Sequence, residues 1–124
     1  MSYDLTIRPD EQYSRTTPRP PLITFMSGLA SLKPSGTSGF ALDDPPDRWM
    51  EIDLEVVSED GDNIEVAGQE YPEVNCINLH IPYGHFRRQH FEREYLPTAL
   101  AIARYLKWPL IDNQTEQVWE PDDQ

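Results

Sequence analysis

An α+β fold, in which an antiparallel sheet carries two helices on one face, is what this sequence predicts, and three observations carry the prediction. Residues 49–57 and 74–81 alternate apolar and polar side chains, the period of half-buried strands. Residues 22–33 and 94–108 repeat apolar side chains at helical spacing. Short alternating segments at residues 3–8 and 110–112 stand before the first helix and after the second.

Each element has its own warrant. Tyr3, Leu5 and Ile7 share one side of the first strand and Asp4, Thr6 and Arg8 the other, and Pro9 ends it. Residues 10–21 are polar and proline-bearing, a surface loop. Leu22, Phe25, Met26, Leu29 and Leu32 form one stripe of the first helix. Pro20 and Pro21 suit its opening turn, where no amide hydrogen is missed, and Pro34-Ser35-Gly36 is its expected stop. Gly36-Thr37-Ser38-Gly39 has neither the lysine nor the helix start of a phosphate loop and reads as a linker. Phe40-Ala41-Leu42 is an expected edge strand. Asp43-Asp44-Pro45-Pro46-Asp47 is a stiff acidic turn that lacks the alternating ligand spacing of a calcium loop.

The central pair follows. Met50, Ile52, Leu54 and Val56 alternate with Glu51, Asp53 and Glu55, and Ile77, Leu79 and Ile81 alternate with Asn78 and His80. One face of such a pair packs on a core and the other meets water. The acidic connection between them turns at Glu59-Asp60-Gly61-Asp62-Asn63. The second helix, residues 94–108, carries Leu96, Ala99, Leu100, Ala103 and Leu106 on one stripe; Pro97 places its start near Tyr95 and Leu96, and Pro109 ends it. A strand at residues 110–112, a turn at 113–116, a return at 117–119 and a fraying end at 120–124 complete the reading. The order strand, helix, strand, strand, helix, strand is the ferredoxin-like βαββαβ arrangement, a single domain over residues 1–124.

Charge narrows the function. The net charge of −12 is concentrated: residues 43–73 hold 12 acidic side chains against Arg48, while residues 85–107 carry +3 and residues 112–124 carry −5. Nucleic acid and anionic membrane surfaces are therefore excluded as expected partners, since both need a basic footprint. A basic protein is the expected partner, because an acidic field steers its approach. Cys76 stands alone, so no internal disulfide forms, and a reducing cytoplasm is the expected compartment. Residues 1–10 lack the features of a signal peptide, and no apolar run approaches the length of about 20 residues that a membrane span needs.

The opening Met1-Ser2-Tyr3-Asp4-Leu5 and the later Ala101-Ile102-Ala103-Arg104-Tyr105-Leu106-Lys107-Trp108-Pro109-Leu110-Ile111-Asp112-Asn113-Gln114 resemble a group of short acidic bacterial proteins. Some of these are similar to immunity proteins that neutralise toxins. The resemblance implies a binding role and carries over no active-site residue.

Two functions are expected from different classes. The first is a non-enzymatic binding module whose acidic face (Glu51, Asp53 and Glu55, with Asp43, Asp44 and Asp47 at its edge) meets a basic partner, with no cofactor. The second is a metal-dependent enzyme or metal-binding protein that uses His80, His85 and His90 with a carboxylate as fourth ligand. Its five-residue spacings match neither a helical metal pair nor a zinc-finger pattern. Arg87, Arg88 and Arg93 are expected to balance the acidic face from within the molecule. Cys76 is expected as a packed strand residue rather than a nucleophile.

Overall fold

The computed structural model describes residues 2–29, 32–35, 39–42, 49–60, 64 and 71–120. Among the described residues, nine strands and the helices between them form an α+β fold whose strand pairs are antiparallel. The strands are β1 (Ser2–Ile7), β2 (Thr17–Pro18), β3 (Leu32–Ser35), β4 (Gly39–Leu42), β5 (Met50–Glu55), β6 (Glu73–Val74), β7 (Cys76–Pro82), β8 (Leu110–Asp112) and β9 (Val118–Trp119). The main sheet runs β3-β4-β5-β7-β1-β8-β9, and β2 pairs with β6 in a separate ribbon.

Alternation decides which side of the sheet is buried. Tyr3, Leu5 and Ile7 on β1 lie opposite Ile81, Leu79 and Ile77 on β7, and Ile52 and Leu54 of β5 face Leu79 and Ile77 in turn. All eight belong to one buried cluster. Helix α1 (Arg19–Ser27) adds Leu22 and Met26 to it, and helix α3 (Leu96–Leu106) adds Ala99, Ile102 and Ala103. Both helices thus cover the same face. Phe25 of α1 stacks on Tyr105 of α3 with ring centres 4.3 Å apart.

The first helix is shorter than its stripe predicts. It stops at Gly28, and Leu32 and Lys33 begin β3, which pairs with β4 from Leu32 opposite Leu42 to Ser35 opposite Gly39. Leu29 and Leu32 continue the helical spacing by coincidence, because the helix has already ended at Gly28. Pro34 fits β3 because β3 is the sheet's edge, where a missing amide hydrogen breaks no central ladder. The sheet is therefore wider than the four strands of the ferredoxin-like prediction: the β3–β4 hairpin lies beyond β5, and β9 lies beyond β8.

The second helix begins earlier than Pro97 suggests. Helical backbone starts at α2 (Arg88–His90), passes through a π-helical turn at Phe91–Tyr95 and continues as α3. Proline has no amide hydrogen to give to the carbonyl four residues back, and its ring crowds that carbonyl. A wider π turn just ahead of Pro97 accommodates both demands without ending the helix. That turn also carries Phe91 and Tyr95 into the core, with Tyr95 fully buried and its hydroxyl accepting the Trp49 amide hydrogen at 3.2 Å. At the far end Lys107 adopts a left-handed conformation (φ 59°), and the Trp108 amide returns to the Ala103 carbonyl at 3.1 Å.

The strand expected over residues 74–81 is interrupted at Asn75, which separates β6 from β7. Its side chain is buried and works as a piece of backbone. The Val57 amide donates to Oδ1 at 2.8 Å, and Nδ2 donates to the Val57 carbonyl at 2.7 Å. No helix among the described residues is long and apolar enough to cross a membrane.

Candidate functional site

The face of the sheet opposite the helices gathers the residues of interest. Register puts His80 of β7 between Asp4 of β1 and Glu51 of β5, and puts Asn78 between Thr6 and Asp53. Glu55 lies opposite Cys76. Cross-strand neighbours of this kind have Cβ atoms about 5 Å apart, so their side chains touch.

Two polar systems result. His80 is held at both ring nitrogens, with Nδ1 at 2.7 Å from Asp4 Oδ1 and Nε2 at 3.5 Å from Asp53 Oδ2. Ser2 donates to the same Asp4 oxygen at 2.6 Å. Beside this triad runs a directed chain of hydrogen bonds. Asn113 Nδ2 donates to Thr6 Oγ1 at 2.9 Å, and Thr6 Oγ1 donates to Asn78 Oδ1 at 2.9 Å. Asn78 Nδ2 then donates to Glu55. The chain ends on a carboxylate, so every donor in it faces an acceptor.

The carboxylates feel one another. Partial burial, and after it the charge of Glu51, hold the Asp53 pKa above its ordinary value, while His80 pulls it the other way. Burial and a like charge each disfavour the charged form of a carboxyl group. The face is nonetheless open, since the side chains of Asp4, Asp53 and His80 are 33%, 40% and 38% exposed. Such a surface accepts hydrogen bonds from ammonium or guanidinium groups.

Of the residues singled out by the sequence, Glu51, Asp53, Glu55, Asn78 and His80 share this face. Asp43, Asp44 and Asp47 lie outside the described residues. The structure adds Asp4 and Thr6, which the sequence assigns to the right side of β1 but cannot place next to β7. His80 stands on the open face, His85 ends a 3₁₀ turn at Tyr83–His85, and His90 lies in α2 beside the core residue Phe91. Among the described residues no group of three His, Cys, Asp or Glu side chains is placed to hold a metal ion. Two of the arginines are occupied on the helical side. Arg88 lies over the rings of Phe86 and Phe91 at 5.6 and 5.5 Å, and Arg87 donates to the Phe86 carbonyl at 2.8 Å.

Cys76 has the chemistry of a packed residue. Burial, and secondarily the charge of Glu55, push its thiol up to about 12. Thiolate is the reactive form. The native protein is expected to resist the disulfide reagent DTNB at pH 8 and to release one equivalent of thionitrobenzoate once unfolded in guanidinium. Rapid reaction of the native protein would contradict this burial.

A groove of about 470 Å³ opens at the β8–β9 side of the molecule, and Arg8, Ile111 and Val118 are among its lining residues. No family model, curated protein or solved structure matches the chain.

Proposed function

We propose that the protein is a non-enzymatic binding module, of the kind of an immunity-type inhibitor, whose acidic sheet face docks a basic protein. The observation that carries this reading is the grouping of Asp4, Glu51, Asp53 and Glu55 on one open face, with His80 as the imidazole set among them. Partial burial first, and the neighbouring Glu51 charge second, disfavour the charged form of Asp53 in the isolated protein. A lysine or arginine delivered from outside favours that charged form, so binding energy is available there. Asp43, Asp44 and Asp47 extend the negative field in sequence toward β5. The thiol opposite Glu55, Cys76, is buried and pushed up to about 12, which fits recognition better than nucleophilic catalysis.

The scaffold is read in the same way. We read β8-β1-β7-β5, neighbours within the longer sheet, as the four strands of the expected ferredoxin-like unit, with β3, β4 and β9 as additions at its two edges.

The test is charge reversal. Tagged wild-type protein and the triple variant E51K/D53K/E55K are used to capture partners from a lysate of the source cells at low and high salt. A basic protein is expected on the wild type, shed as salt rises and absent from the variant, with both proteins showing the same circular dichroism. Equal retention by the folded variant would overturn the reading.

A further inference from the structure

The groove beside β8 and β9 continues the acidic face, and its chemistry is specific enough to name what enters it. It is lined by the apolar Ile111 and Val118 and by the carboxylates Asp10, Glu11, Glu116 and Glu120. Ile111 lies opposite Val118 across β8 and β9, and opposite Thr6 across β8 and β1. One cross-sheet row therefore runs Asp53, Asn78, Thr6, Ile111, Val118, from the carboxylates into the groove. Arg8 also reaches the groove, but its guanidinium is turned onto Tyr13, to whose hydroxyl it donates at 3.1 Å and whose ring centre lies 5.4 Å away.

The backbone there is poised as well. Among the described residues, β9 is the last strand of the sheet. The Asp112 amide donates to the Gln117 carbonyl at 2.8 Å, and in an antiparallel ladder bonded and non-bonded pairs alternate. The next pair, Ile111 with Val118, is therefore non-bonded, and the Val118 amide and carbonyl turn away from β8 toward the free edge. The Asn113 amide donating to the Asp4 carbonyl on the other side of β8 fits the same alternation. Val118 is also 45% exposed, a large apolar side chain standing in water.

Building on the basic-partner reading, we propose that this groove receives an extended segment of the partner in which lysine or arginine alternates with apolar residues. The segment adds as a strand to β9, with its backbone bonded to Val118. Its lysine or arginine side chains share the groove face, with their stems over Ile111 and Val118 and their charges on Asp10, Glu11, Glu116 and Glu120, while the apolar residues between them turn to the other face of the sheet, the side of Trp119. Strand addition of this kind draws affinity from main-chain bonds and selectivity from alternate side chains.

The probe is a fluorescein-labelled peptide of alternating lysine and valine, followed by anisotropy at low salt. Three folded proteins, checked by circular dichroism, are compared with wild type: V118P, E116K/E120K and E51K/D53K/E55K. Proline at 118 removes the outward donor without touching the β8 ladder. The proposal expects V118P and E116K/E120K each to weaken binding by about tenfold or more, and the face variant to weaken it less. Wild-type affinity in V118P overturns strand addition. Loss confined to the face variant overturns the groove while leaving the acidic-face reading standing. No binding to wild type also overturns the groove, and the capture experiment judges the face separately. A wild-type protein that sediments as a dimer and becomes monomeric in V118P assigns the edge to a second copy, and likewise overturns the peptide.

Discussion

Replacing Asp112 with alanine is expected to destabilise the protein by about 3–5 kcal/mol, because four donors lose their acceptor at once. Asp112 is buried, at 2% exposure, on the core face of β8. Its Oδ1 accepts the amides of Gln114 at 2.9 Å and Thr115 at 3.1 Å and the Gln114 side chain at 3.0 Å. Its other oxygen accepts the hydroxyl of Tyr3. One carboxylate thus closes the turn between β8 and β9 and ties it to the first strand. Urea denaturation measures the loss; a loss under about 1 kcal/mol would show that the turn holds itself. Y3F, which removes one donor, is expected to cost only about 1 kcal/mol, and the double-mutant cycle isolates the pair.

The same contact sets two pH limits. Burial raises the Asp112 pKa, but the Tyr3 hydroxyl and the amides and side chain of the turn outweigh it and leave the pKa below the ordinary 3.8. A carboxyl lowered in the fold contributes stability above its unfolded pKa, lost as pH falls through the folded one. Tyr3 is the mirror case: burial first and the bond to Asp112 second raise it from 10.0 to about 12. Its contribution is complete below pH 10.0 and disappears as pH rises toward about 12. Y3F should abolish the alkaline loss attributable to this group. An alkaline limb unchanged in Y3F would assign it elsewhere.

Alanine at Asn75 is expected to cost about 2–4 kcal/mol, since it strands a donor and an acceptor of the Val57 backbone where water does not reach. Val57 is 6% exposed and Asn75 also 6%. Aspartate at 75 keeps the shape and still accepts the Val57 amide, but sets a charge against the Val57 carbonyl, so it should be at least as damaging as alanine. Thermal unfolding of the two variants tests both the size and the order. An aspartate variant as stable as wild type would refute the backbone-substitute role.

What the sequence made legible was whatever repeats with a period. β1, β5, β7 and β8, and both helical stripes, follow from alternation or helical spacing, and so does the open face with Glu51, Asp53, Glu55, Asn78 and His80. What escaped depends on single side chains or on pairing between distant segments. Asn75 sits inside an alternating run and looks like a strand residue, although it breaks one. Asp112 is likewise read as strand. The signal present was an aspartate at the head of Asn113-Gln114-Thr115, the composition of a turn closed by its own carboxylate. β3 was hidden because Leu29 and Leu32 prolong the helical pattern and Pro34 argues against a central strand, though not against an edge. Asp4 could not be joined to His80 without knowing that β1 pairs with β7. The π turn resolves a conflict between Pro97 and an apolar stripe that continues upstream of it.

The place of β1 has a consequence for how the molecule is made. Its neighbours are β7 and β8, so β1 waits for pairing partners 74 and 103 residues further along, as Leu5 opposite Leu79 and Ile7 opposite Leu110 show. A chain leaving the ribosome carries this apolar segment without its sheet partners until β7 and β8 have been made. Folding is then late, slow for the chain's size and sensitive to truncation. Any product ending before Leu110 presents one side of β1 as a bare edge, open to pairing between molecules.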